Sequence, residues 1–260
     1  MGRIDGCTNP ESAELTIDDE TFVFGNCALT MGIPGYRGGN GIVYLQGNAF
    51  ISRARIDPSG SIELVERQLV TGLTATLGID ILRKATRRFP TGTAFVAEGG
   101  RPICHPASRE LLTNVDLIRP RALAFDPETG EVRGEIPLWD GSAIANRFNA
   151  LDQPNGLAVD AKGNLYVGDI PNSNPVDTLP PPVDSAVYRI PHDALDALAA
   201  RDDESAARNV ARIEVPGFVN GVTSSPVDDS IWIVSCSEHD PVRGGIYQLS
   251  ERDFDRGTLP

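Results

Sequence analysis

The chain has no cluster of lysine and arginine: 23 basic residues are scattered among 36 acidic ones, for a formal charge of -13. That balance argues against nucleic acid or an anionic membrane surface as a partner and permits cation binding. The acidity can equally do no more than keep the protein in solution. No apolar run approaches the roughly 18 residues that a spanning helix needs. The opening MGRIDGCTNPE lacks the apolar core of a signal peptide. A signal already removed leaves no trace, so the cytoplasm is only slightly favoured over secretion. Cysteine is scarce, and Cys7, Cys27, Cys104 and Cys236 lack the CxxC spacing of a zinc or redox site, although their even number leaves disulfides open. No GxSxG, HExxH or Walker-type signature offers a competing chemistry.

What the chain does have is turns. It holds 26 Gly and 20 Pro in 260 residues at 40% hydrophobic, the composition of a globular β protein. The most regular stretch is Asp152–Asp169, DQPNGLAVDAKGNLYVGD, in which an Asn-Gly turn, an apolar run, an Ala-Lys-Gly turn and a second apolar run predict a hairpin. The phrase returns at Phe218–Cys236, FVNGVTSSPVDDSIWIVSC, and more loosely at Glu11–Asn26, ESAELTIDDETFVFGN. A stretched copy has Leu73–Leu82 as its first strand and Thr93–Glu98 as its second.

Each copy can be extended toward four strands. The first adds Gly41–Leu45, continued through Phe50–Ile56, and then Ser61–Gln68. The second adds Arg121–Asp126 and Glu131–Leu138. The third adds Ala186–Ile190 and Ala211–Val215, with Pro191–Arg208 between them spaced as a short surface helix. The fourth adds Gly245–Leu249. Repeated units of this kind, each too small to bury its own face, predict an all-β chain: a β-propeller of four-stranded antiparallel blades. The blades fall at about 11–70, 71–148, 149–217 and 218–260 of one domain. A β-sandwich would accept the same strands but does not account for the recurring hairpin phrase.

Loops between the first and second strands are short, whereas those between the second and third are long: Asn26–Asn40, Gly99–Pro120, Ile170–Ser185 and Ser237–Gly244. In a radial array the long loops share one rim, where binding residues gather. They carry His105, His239, Arg37, Arg101 and Tyr36. Counting back from the second strand, Glu11 precedes Phe22 by 11 residues, Asn155 precedes Leu165 by 10 and Asn220 precedes Ile231 by 11. Matched offsets should bring the three to one central opening. One carboxylate and two amide oxygens suit Ca2+ or Mg2+, although Asn-Gly is also a common turn dipeptide.

The phrases NRFNALDQPNGLAVDAKGNLYVGD and VNGVTSSPVDDSIWIVS resemble blade openings of the senescence-marker-protein/gluconolactonase family, which includes regucalcin, and ESAELTIDDETFVFGN is similar to its first. Comparable phrases occur in strictosidine-synthase-like proteins. The resemblance implies a six-bladed propeller holding one divalent cation in its channel and hydrolysing sugar lactones or related esters. It places Glu11 and Asn220 among the metal ligands and Asn155 against substrate or metal-bound water. The cation is Ca2+ first, with Zn2+, Mn2+ or Mg2+ as alternatives. The family's catalytic Asp opens a fifth blade, which in this register begins beyond Pro260. If the repeats are instead numbered from the other end, Asn155 takes that position, where an amide cannot act as a base. Within this chain Asp152 is the substitute base, with Asn155, His105, His239 and Arg101 as contacts to a small-molecule substrate. Two other readings stay open: a non-catalytic propeller that binds a ligand or protein on its rim, and a metal-free strictosidine-synthase-like enzyme.

Overall fold

The computed structural model describes residues 9–30, 43–100, 103–112, 119–149, 151–170, 185–201, 204–236 and 244–260. Its main strands form four antiparallel sheets in chain order, the blades of a β-propeller. Blade 1 contains β1 (Pro10–Leu15), β2 (Thr21–Asn26), β5 (Ala49–Ile56) and β6 (Ile62–Leu73). Between β2 and β5 lie β3 (Leu29–Thr30) and β4 (Val43–Leu45). Blade 2 contains β7 (Thr76–Ile81), β8 (Ala94–Glu98), β10 (Arg121–Phe125) and β11 (Val132–Pro137), with β9 (Ile103–Cys104) between β8 and β10. Blade 3 follows as β12 (Pro154–Val159), β13 (Leu165–Asp169), β14 (Ser185–Ile190) and β15 (Ala211–Val215). Blade 4 has β16 (Phe218–Ser224), β17 (Ile231–Cys236) and β18 (Gly245–Leu249), and no fourth strand among the described residues.

Several strand expectations need correction. Val43–Leu45, the described part of the expected Gly41–Leu45, is not in the third strand of blade 1. Gly47, at φ 71°, turns the chain between β4 and β5, and β4 joins β3 and β9 in a separate three-stranded sheet. Leu73 ends β6 instead of starting blade 2, because Gly72 at φ 75° and Thr74 redirect the chain before β7 begins. The predicted surface helix is a 3-10 turn at His192–Ala194 followed by α2 (Leu195–Ala200) and α3 (Glu204–Ala207). Its apolar side faces inward: Leu195, Leu198 and Ala199 are buried in the core shared with blades 2 and 3. Two further helices are α1 (Ala143–Phe148), whose N-terminus is capped by the Ser142 hydroxyl, and α4 (Glu251–Arg256), which opens on a Ser250/Asp253 capping box. No helix among the described residues is long and apolar enough to cross a membrane.

The first strands of the blades run side by side: β1 packs on β7, β7 on β12 and β12 on β16. No comparable packing joins β16 to β1 among the described residues. Each blade interface encloses its own apolar cluster. Val23, Ile51, Ile79 and Phe125 fill the first, Phe95, Leu157, Leu165 and Val167 the second, and Tyr166, Val187, Ile231 and Ile233 the third.

One feature of these inner strands fixes the centre. In each of the four, the pairing with the second strand slips by one residue at the same place: between Pro10 and Ala13, Thr76 and Ile79, Pro154 and Leu157, and Val219 and Gly221. The slip is a β-bulge, which puts two residues opposite one and re-aims the side chain at the bulge. The Asn-Gly pairs therefore sit inside strands β12 and β16, at bulges, and not in turns as their composition suggested. The Gly has a separate reason. A Cβ on Gly78 would lie 2.2 Å from the backbone nitrogen of Leu157, and one on Gly156 would lie 2.6 Å from that of Val222. Neighbouring inner strands touch backbone to backbone there, and only a residue without a side chain fits. In blade 1 the same slot holds Ser12, whose hydroxyl accepts a hydrogen bond from Ile79 N–H at 3.3 Å.

Candidate metal centre

Aligning the bulges makes Glu11, Leu77, Asn155 and Asn220 equivalent, and Glu14, Asp80, Ala158 and Thr223 equivalent three residues later. The first set, with Glu14, Asp80 and Thr223 of the second, lines a single opening of about 340 Å3 between the inner strands, whereas Ala158 is buried in the core between blades 3 and 4. Glu11, Asn155 and Asn220, which lie far apart in the sequence, thus share one cavity. Leu77 is apolar and buried in the core between blades 2 and 3.

The buried ends of the second strands hold this arrangement in place. The residues paired to the starts of the bulges are Asn26, Glu98, Asp169 and Ser235, and all four are buried polar side chains. Three of them fasten the chain entering the inner strand. Asp169 Oδ1 accepts from the N–H groups of Asp152 and Gln153 at 3.0 and 2.9 Å. Glu98 accepts from Thr74 N–H at 2.8 Å and from Arg121 at 2.7 Å, and Ser235 donates to the carbonyl of Pro216. Burial pushes the Asp169 carboxyl up to about 7 despite its backbone donors. Asn26 instead donates across blade 1 to the Ser52 hydroxyl at 2.9 Å.

The opening is acidic. Desolvation raises the Glu11 carboxyl above its ordinary value. Burial, helped by the nearby charge of Asp80, pushes Glu14 up to about 7, against the pull of Arg83, whose guanidinium lies 3.5 Å away. Asp80 is raised to about 6 by burial. Its two oxygens accept from Val159 N–H of the next blade and from Ile81 N–H, both at 2.7 Å, so it clamps blade 2 to blade 3. Among the described residues no three His, Cys, Asp or Glu side chains gather closely enough to hold a metal on their own. A cation in this opening would draw its ligands from the mixed set of Glu11, Asn155 and Asn220. Hard oxygen donors with a single full charge fit Ca2+ better than they fit the nitrogen- and sulfur-seeking Zn2+.

The other expected site residues fall elsewhere. Asp152 is half-buried on the approach to β12, with its N–H held by Asp169, and it does not line the opening. His105 lines a second cavity of about 480 Å3 on the long-loop side, with Glu98, Arg119 and Arg121. His105 Nδ1 accepts from Ala107 and Ser108 N–H at 3.3 and 3.2 Å, which leaves the ring proton of the neutral form on Nε2. Arg101, His239, Arg37 and Tyr36 lie outside the described residues. The sequence reading missed Glu14 and Asp80. The signal was their common offset from the bulge, obscured in blade 2 because its bulge carries Leu77 and offered no polar residue to align.

No protein-family model and no curated protein matches the chain. Among solved structures, hydrazine synthase of Kuenenia stuttgartiensis is similar at 14% identity and a TM-score of 0.52, over 92% of this chain and 58% of the other. The chain therefore spans less than two thirds of that protein, and the likeness is one of fold alone. Also similar are the Dos1 propeller, at 11% identity and a TM-score of 0.41 over 93% of this chain and 48% of the other, and a gluconolactonase of Xanthomonas campestris, at 15% identity and 0.40 over 98% and 75%.

Proposed function

We propose that the protein is a divalent-cation-dependent hydrolase that opens a sugar lactone or a related small ester at its central opening. The observation that carries this reading is the meeting of Glu11, Asn155 and Asn220, one from each of three blades, in one acidic cavity. Blade-opening phrases of the gluconolactonase type support the choice of substrate class. Glu11, Asn155 and Asn220 would hold the cation, Ca2+ by the hardness of the donors. When bound, a cation there polarises an ester carbonyl and lowers the pKa of water.

The chain's own residues divide the remaining work. Glu14 lines the same cavity with a carboxyl near 7, suited to taking a proton at neutral pH. It is better placed for that than Asp152, which does not line the opening. Asp80 has both oxygens engaged by backbone N–H groups and serves as a wall. The rim cavity around His105 and Arg119 favours a second reading, a propeller that binds a polar ligand there without chemistry.

The test is hydrolysis of a lactone and aryl-ester panel by purified protein, with added Ca2+, Mn2+ or Zn2+ and with chelator. Turnover that needs the cation and disappears in Asn220→Leu supports the proposal. Cleavage that is indifferent to chelator, or no cleavage of any panel member, removes it; ligand binding at the rim with no turnover would then favour the second reading.

A further inference from the structure

The central opening and the rim cavity are opposite in charge. Among the described residues no lysine, arginine or histidine lines the central opening, whose ionisable lining is Glu11, Glu14 and Asp80. The rim cavity, of about 480 Å3, is lined by Arg119 and Arg121 against the single carboxylate of Glu98, with His105 beside them. The two cavities share no lining residue. In a chain of formal charge -13, where acidic residues outnumber basic ones, chance would not favour a cavity with this balance.

Burial decides what a ligand in the rim cavity meets. The Glu98 side chain is 5% exposed, and both its oxygens are engaged, one by Thr74 N–H at 2.8 Å and the other by Arg121 Nε at 2.7 Å. Arg121 keeps 27% exposure and is held from a second side by Glu135 at 2.7 Å, so its guanidinium is fixed in orientation. Glu135 in turn bonds Arg201, and the four residues form a ladder of two negative and two positive charges. Arg119 is exposed, with its guanidinium 5.7 Å from the centre of the Trp139 ring, a contact made through the ring face. His105 is exposed as well. The accessible charge in the cavity is therefore positive.

The lining also permits close approach to the backbone. Gly47 and Gly72 contribute to it at φ 71° and 75°, and nothing lies within 4 Å of where a Cβ would stand on either. Their positive φ selects glycine, and the same choice keeps side chains out of the cavity. A volume of about 480 Å3 falls within the span of small-molecule sites, about 300–1,000 Å3. We propose that the rim cavity is an oxyanion site that takes a small molecule bearing a carboxylate or a phosphate. A guanidinium matches either group with two parallel N–H···O bonds, and Nε2–H of neutral His105 supplies a further donor. The proposal narrows the polar ligand of the second reading to an anion. It rests on the rim cavity alone and stands whether or not a cation occupies the central opening.

Thermal unfolding of the full chain in metal-free buffer tests this, with inorganic phosphate, gluconate or glucose titrated in and ionic strength held constant with chloride. The expected result is a saturable rise of the midpoint with phosphate or gluconate and none with glucose; the larger response tells which oxyanion the site takes. Arg119→Gln removes an exposed guanidinium, and Gly47→Asp sets a carboxylate in the open part of the lining at a φ that Asp tolerates. Each should raise the half-saturating concentration at least about tenfold, with circular dichroism confirming that the variants fold. Asn220→Leu should respond as the wild type does, so the anion response is separable from the lactone panel and from the cation. A wild type indifferent to both anions overturns the inference. So does a response that glucose equals, that persists undiminished in both Arg119→Gln and Gly47→Asp, or that Asn220→Leu removes.

Discussion

In blade 3 the bulged inner strand carries Asn155-Gly156, and in blade 2 the same bulge, at the same place in the pairing, carries Leu77-Gly78. The two glycines make the same close approach to the next strand's backbone. The residues ahead of them differ in kind: Leu77 is buried in the interblade core, while Asn155 keeps a half-exposed amide at the cavity. The fold therefore requires the bulge and a small second residue but does not require asparagine. What the scaffold leaves unassigned at that slot, blades 1, 3 and 4 fill with Glu11, Asn155 and Asn220, each able to present oxygen to the opening. This separates the structural role of an Asn-Gly pair from its chemical one.

The largest effects should come from the part the blades share. Gly78→Ala and Gly156→Ala each force a Cβ against the next strand's backbone, and each should cost about 1–3 kcal/mol or more in urea unfolding. Similar losses in both blades are expected; a cheap Gly78→Ala would break the equivalence. Next, Asp169→Ala strands the N–H groups of Asp152 and Gln153 and should cost about 1–3 kcal/mol by the same measurement. Smaller still is Asn155→Leu, which copies blade 2 into blade 3. It should change stability by about 1 kcal/mol or less, and a severe loss would mean that the scaffold needs the amide after all.

An effect that depends on pH lies one step further along, where Glu14 and Asp80 are equivalent. Asp80 shifts from an ordinary 3.8 to about 6 on folding, and Glu14 from 4.5 to about 7. Both folded values are raised, so the folded chain holds more protons than the unfolded one between these limits. Their contribution to stability is fully present below about pH 4 and is lost as pH rises through 6 to 7. Thermal melts across this range should flatten in Glu14→Gln. Asp80→Asn should flatten them too while lowering stability at every pH, because an amide can accept from only one of the two backbone N–H groups. A pH profile unchanged in Glu14→Gln would mean that its carboxyl is solvated like any surface glutamate.

Blade 3 was the most legible part of the sequence because its apolar runs are bounded by turn residues and its strands are short. The convergence of Glu11, Asn155 and Asn220 was also legible, since a fixed offset from a repeated strand is a statement about the fold. The bulge was not: an extra residue in a strand leaves no periodic mark, and its Asn-Gly looks like a turn. The short β3, β4 and β9 strands escaped because pairing between distant segments has no local signature, and Gly41–Leu45 was assigned to the nearest blade instead. Helix α4 was missed although Ser250 and Asp253 supply a capping box, because the hairpin pattern ended just before it. Glu14 and Asp80 became visible only once blade 2, with its Leu77, was placed in register with the others.

The most direct test of the central claim is a Ca2+ titration followed by the thermal unfolding midpoint, on the wild type and on Asn155→Leu and Asn220→Leu. A ligand bound only by the folded chain must raise its midpoint. The account predicts a saturable rise in the wild type that both substitutions abolish or weaken strongly. A wild type indifferent to Ca2+, Mn2+ and Zn2+ alike, or variants that respond as the wild type does, would contradict it.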